Sequence, residues 1–246
     1  MKTVEPSPPF DDLRPLALLA LGRSGADIER LVREVRRKLR RTGETMVWSD
    51  IETALRQGQA RMSDELRWRA CVHEAGHVLV FTLTGIAEVQ SASIGLRGLG
   101  MVTTVPNNHL PETEAWLMNS IAATLAGRAA ERLVIGDVLA GAGGGPESDL
   151  ALATEMALAA ETRLGFSSHR PLLHRPATVA NHALSIDESL AARVDARLVA
   201  AEAIASKLIE AHRDCHLAIA KRLAAVSVIE GDALRAMIDG AVETDP

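Results

Sequence analysis

Cys71-Val72-His73-Glu74-Ala75-Gly76-His77-Val78-Leu79-Val80 is the stretch on which the reading of this chain turns. It contains H-E-x-x-H inside a window that reads as helix. In a helix the residues i and i+4 share a face, so His73 and His77 can aim an imidazole nitrogen at one point. Glu74 is rotated about 100° from His73 and cannot reach the same ion. It can instead hold an attacking water and take its proton. This is the division of labour of a catalytic zinc site, two of its three protein ligands plus a general base. With this content of His and Glu, the pattern arises by chance about 0.02 times per sequence of this length. The plain alternative is a helix with two hydrogen-bonded core histidines. Gly76 costs about 1 kcal/mol relative to Ala in a helix interior. A close approach of another backbone or of substrate is therefore expected at that point.

Composition sets the surroundings of this helix. At 246 residues the chain can hold one large or two small domains with a proper core. Apolar residues make up 47% and charged residues 24%, a globular balance. Aromatics are 2% with no Tyr, while Ala and Leu abound, which favours helix. A net charge of −5 argues against a nucleic-acid surface. The basic run Arg33 to Arg41 reads as a solvated helix face rather than a site for an anionic partner. Cys71 and Cys215 are far apart and within helical patterns, which predicts a reduced, cytoplasmic protein without a disulfide framework. No apolar run approaches the ~18 residues of a membrane span. Leu16 to Leu21 is short and follows Asp11, Asp12 and Arg14, unlike a signal peptide.

Outward from the H-E-x-x-H helix, expected at 63–84 with Gly85 as its stop, the pattern is mostly helical. Upstream, prolines 6, 8, 9 and 15 predict a loose tail over 1–15. Ser24 caps a predicted helix from Gly25 to about Arg41, with Ile28, Leu31, Val32, Val35 and Leu39 on one stripe. Ser49-Asp50-Ile51-Glu52 reads as a capping box for a second helix to about Gln59. Together 16–60 form a small helical unit. Downstream, Val89 to Ile94 and Met101 to Val105 read as two strands joined by a turn containing Arg97 and Gly98. A helix opening at Pro111 runs to Gly136, and another runs from about Glu147-Ser148-Asp149 to Gly165. A loop over 166–185, one long helix over 187–225 and a short helix near 232–239 complete the pattern. The fold class is mainly α with one small β-hairpin or sheet.

An H-E-x-x-H site needs a third protein ligand. The metzincin extension is absent. Asp149 is the leading local candidate, at a helix start whose glycine-rich approach, Gly141 to Gly145, would let it lie close to the metal. Glu147, Ser148 and Asp149 read equally well as cap and charge complement of that helix. Glu147 and Asp137 are further candidates. His212 and His216 are also i, i+4, but no glutamate follows His212, and an exposed polar face is the expected reading. His169, His174 and His182 are expected to be solvated loop residues.

Several pieces now fall in a familiar order. They are His73-Glu74-Ala75-Gly76-His77, Gly98-Leu99-Gly100-Met101-Val102, and Leu125-Ala126-Gly127-Arg128-Ala129-Ala130-Glu131. Then come Gly141 with Ala142, Ser148-Asp149-Leu150, Ala153-Thr154, and Leu164-Gly165-Phe166-Ser167 with Pro171-Leu172-Leu173. From Arg69 to about Asp239 the chain resembles the peptidase domain of the FtsH-type zinc proteases, membrane-anchored AAA+ proteases of bacteria and organelles. Gly22 to Ile28 resembles the start of the last helices of the AAA+ lid. The resemblance implies Asp149 as the third zinc ligand, Glu74 as general base, a mostly helical fold and a ring of six subunits. It divides the chain into a tail over 1–15, a lid-like remnant over 16–60 and a zinc peptidase domain over 61–246. The implied activity is a Zn2+-dependent metalloendopeptidase acting on unfolded or extended polypeptides. No G-x-x-x-x-G-K-[ST] loop occurs in these residues, so the chain by itself is expected not to hydrolyse ATP. An ATPase-bearing partner is one expectation, and it could also bring a cytoplasmic chain to a membrane. The rival reading is a non-enzymatic subunit that assembles with ATPase-bearing relatives.

Overall fold

In the computed structural model of the chain, a single helix, α4 (Asp64–Thr84), is the axis of the fold. The structure describes residues 13–20, 23–57, 62–95 and 99–242. The Ser63 hydroxyl accepts the Leu66 N–H and opens α4, and Asp64 and Glu65 complement its positive end. Gly85, at φ 66°, ends it with its N–H on the Phe81 carbonyl. From Ala70 to Val80 the helix is buried on nearly every side, which is why its middle is apolar all round. Helix α5 (Glu114–Val134) packs along it, as do α9 (Arg213–Val226) and strand β1 (Ala87–Ile94). Among the described residues no helix is long and apolar enough to cross a membrane.

Gly76 marks the contact between α4 and α5. A Cβ there would stand 2.6 Å from the Ala126 carbonyl oxygen and 2.8 Å from the Ala130 Cβ. The close approach is thus to a backbone inside the fold. Gly76→Ala is expected to lower stability by about 1–3 kcal/mol through overpacking, although Ala is the better helix former. The readout is a lower denaturant midpoint at unchanged m-value.

The strands form one antiparallel sheet in the order β2-β1-β3, with β2 at Gly100–Pro106 and β3 at Val228–Glu230. The register between β1 and β2 shifts between Val89 and Ser91, the mark of a bulge. The predicted turn at Arg97-Gly98 lies outside the described residues. Strand β3 has only three residues and forms because it lies beside the central strand; such a segment carries no periodicity to read.

Elsewhere the structure shifts several predicted boundaries. Residues 14–19, read as tail and short apolar run, are helix α1 (Arg14–Leu19), and the tail's first twelve residues lie outside the described residues. Ser24 caps α2 (Gly25–Thr42) as expected, in a reciprocal box with Asp27. The expected box at Ser49 gives way to an earlier start. Helix α3 (Trp48–Gln57) begins where the Asp50 carboxylate accepts the Val47 N–H at 2.8 Å. Helix α5 begins at Glu114, not at Pro111, because the Thr113 hydroxyl accepts the Trp116 N–H. The loop expected over 166–185 contains helix α7 (Ala177–Ile186).

The long C-terminal helix is two helices, α8 (Glu188–Ala211) and α9, separated by His212 at φ −116°, ψ 38°. The break lets α8 pack on α5 while α9 packs on α4. Helix α6 (Asp149–Thr162) lies against both α5 and α8, and α10 (Gly231–Val242) closes over β1. A second, smaller apolar cluster gathers Leu19, Ile51 and Leu55 with Leu16, Leu31 and Val32. The face of Arg33, Arg36, Arg37, Arg40 and Arg41 is exposed, as expected.

Candidate metal centre

Three donor atoms from two distant parts of the chain meet in one cleft. His73 and His77 project from adjacent turns of α4. Asp149 is the first residue of α6, whose cap is the Ser148 hydroxyl rather than Asp149 itself. The His73 Nε2 is 3.1 Å from the His77 Nε2 and 3.1 Å from the Asp149 Oδ2, and His77 Nε2 is 3.4 Å from that oxygen. A tetrahedral divalent transition metal with bonds of 2.0–2.1 Å spaces its donors about 3.3–3.4 Å apart, so the observed triangle is the right size. Among the described residues this is the one group of three such side chains close enough to hold a metal ion.

Helix α5 orients both imidazoles. The His77 Nδ1–H donates to the Ala123 carbonyl at 2.8 Å, and the His73 Nδ1–H donates to the Glu131 carboxylate at 2.6 Å. Both partners only accept, so each neutral ring keeps its proton on Nδ1 and turns a lone pair on Nε2 inward. Two such lone pairs and a carboxylate oxygen at about 3 Å repel one another unless a cation lies among them. Burial works against a charged His73, but Asp149 and Glu131 outweigh it and raise its pKa to about 10. Burial would likewise raise Asp149, yet the two imidazoles facing it hold its carboxyl well below the usual carboxylate range. The donor set therefore demands positive charge, and a divalent ion satisfies it.

Glu74 lies apart from this triangle, 7% exposed, on the wall of the same cleft of about 490 Å³. Burial raises its carboxyl above the ordinary range, with His77 and His73 pulling the other way. Gly100 of β2 makes room for it, since a Cβ there would stand 2.4 Å from Glu74 Oε1. Leu99, Gly100, Met101, Val102 and Thr104 line the cleft opposite α4.

The other candidates stand elsewhere. Asp137 pairs with Arg69 at 2.5 Å, and Glu147 is exposed at the cleft's rim. His169, His174 and His182 are exposed. His216, expected on an exposed face, is instead fully buried and donates from Nε2 to the Val72 carbonyl of α4 at 2.9 Å. Both cysteines are buried and free. Sequence reasoning gave Glu131 no role. The available signal was a carboxylate at i+8 from Ala123 on the most apolar face of α5.

Paired imidazoles on one helix, a carboxylate from another and a buried glutamate on the wall of the same cleft define the H-E-x-x-H class of metallopeptidase-type centres, here on a mainly α-helical fold. Within that class the assignment is specific. A family model described as Peptidase family M41 matches residues 60–237, and the chain belongs to that family. Among curated relatives it is similar to the ATP-dependent zinc metalloprotease FtsH of Paraburkholderia phymatum, 32% identical over 260 residues, covering 95% of this chain and 39% of the relative. It is also similar to the ATP-dependent zinc metalloprotease FtsH of Thermobaculum terrenum, 36% identical over 180 residues, covering 69% of this chain and 27% of the relative. The chain thus spans well under half the length of these relatives.

Proposed function

We propose that the chain is a zinc-dependent endopeptidase acting on unfolded or extended polypeptide, with His73, His77 and Asp149 as zinc ligands and Glu74 as general base. The observation that carries this reading is the convergence of three metal-type donor atoms, from His73, His77 and Asp149, beside a buried glutamate in one cleft. A zinc ion held there supplies a Lewis acid for the peptide carbonyl and acidifies water near neutral pH. Glu74 accepts the proton of the attacking water and delivers it to the leaving amine. Strand β2 is an edge of the sheet among the described residues, and its Gly100, Met101, Val102 and Thr104 line the cleft. An extended substrate adding to that edge is held by main-chain hydrogen bonds, which gives weak sequence preference.

On this proposal 61–246 is the zinc peptidase domain and 16–60 a helical lid-like remnant. The working form is then a ring of six fed by an ATPase-bearing partner. The test is cleavage of denatured casein by purified protein with zinc, without ATP, and with a chelator. Chelator-sensitive cleavage supports the reading, and zinc-loaded protein that leaves casein intact points to the non-enzymatic subunit.

A pH dependence follows from His73. Its raised pKa means the metal-free centre carries a proton at neutral pH, which an incoming cation must displace. Metal uptake is therefore expected to release a proton and to tighten as pH rises toward 10, weakening about tenfold per unit below it for one proton displaced. Calorimetry at pH 7–8 in buffers of different ionisation enthalpy measures that proton.

A further inference from the structure

We infer that Glu131 is the positioning residue of this centre, fixing the tautomer of His73 and tying it to the segment that delivers Asp149. The inference rests on the metal-binding reading above. Glu131 is 2% exposed in the apolar middle of the fold. Among the described residues no Lys or Arg pairs with it; its ion partner is His73. One carboxylate oxygen accepts the His73 Nδ1–H at 2.6 Å, and the other accepts the Leu139 N–H at 2.7 Å. Leu139 opens the turn Ala140–Ala142, from which the chain runs to Ser148 and Asp149. A single buried side chain thus joins α4, which carries two ligands, to the loop that brings the third.

The chemistry requires a carboxylate. Both neighbours are donors, so the group between them must accept twice. Glutamine presents one acceptor and one donor. If its oxygen takes the His73 proton, its NH2 faces the Leu139 N–H, and that segment loses its anchor. If its oxygen takes Leu139, the NH2 donates to His73 Nδ1. The ring proton then moves to Nε2, where it blocks the lone pair a metal needs. Either arrangement costs the centre one of its parts.

The experiment uses metal-free full chain loaded with Co2+ and competed with a chelator. The visible spectrum reports ligand geometry, and the midpoint of chemical denaturation is read on the metal-free protein. Glu131→Gln is expected to weaken Co2+ affinity about 10- to 100-fold and to alter the visible band. Leu139→Pro removes the second bond, since Leu139 has φ −77°, which proline accepts. Leu139→Ala, which keeps the N–H but also loses the leucine side chain at the cleft wall, is its control and should bind as the parent does. Leu139→Pro is expected to weaken affinity by less than Glu131→Gln. The double variant should lose no more than Glu131→Gln alone, because the two changes break one link.

Parent-like affinity and spectrum in Glu131→Gln, with only a lower denaturation midpoint, would make Glu131 a structural residue and overturn the inference. Should Glu131→Gln not fold, parent-like affinity in Leu139→Pro overturns the coupling by itself. A parent chain that binds no Co2+ removes the metal-binding reading, a failure distinct from parent binding that is indifferent to Glu131.

Discussion

Glu74→Gln is expected to keep its metal at the parent level and to slow casein cleavage about 100- to 10,000-fold, the range a positioned general base contributes. That corresponds to about 3–5 kcal/mol of barrier. Glutamine has the volume and shape of glutamate, so it fits the space that Gly100 leaves beside α4. It is outside the triangle of Nε2, Nε2 and Oδ2 atoms, so those three donors are undisturbed. What it lacks is an oxygen that can carry a proton from water to the leaving amine. The measurement is metal content by elemental analysis beside the casein rate for both proteins. Equal rates at equal metal content would remove Glu74 from the chemistry; loss of metal as well as rate would mean that Glu74 helps to hold the ion.

The second large effect is steric. Gly127→Ala places a methyl group 2.3 Å from the His73 Nε2 and 2.5 Å from the two ring carbons beside it. In an unhindered helix the same change would stabilise by about 1 kcal/mol. Here the methyl group and the His73 ring cannot share the space, so His73 must leave its rotamer and its bond to Glu131. Metal affinity is expected to fall by more than the roughly 10- to 100-fold typical of a change outside the ligand shell. Helix content should stay at the parent level. Competition with a chelator reads the affinity, and circular dichroism the fold. Parent-like binding would mean that His73 can be displaced without loss and is no ligand.

The legible part of the site was the part made by local geometry. His73, Glu74 and His77 sit on one helix, where the 3.6-residue turn alone sets their relation, and Ser63 and Gly85 mark its ends in the sequence. The strands at β1 and β2 were legible because they are long enough to show their pattern. Strand β3 was not, since three residues beside a neighbour carry no period. The break at His212 was missed for a related reason: it has no proline or glycine, and it follows from α8 and α9 packing against different helices.

The H-E-x-x-H helix, the mainly α class and the resemblance to the FtsH-type peptidases were therefore determined by the chain's own order of residues. Residue pattern by itself leaves the third carboxylate open and the family resemblance points to Asp149; the tertiary structure brings that carboxylate beside the imidazoles. Asp137, Glu147 and Asp149 look alike along the sequence, but one pairs with Arg69, one faces solvent and one meets both histidines. It also decided that Glu131 faces inward to His73 and Leu139. The physical reason is range: a helical turn fixes neighbours four residues apart, whereas a contact between residues 73 and 149 exists only once α4, α5 and α6 have packed.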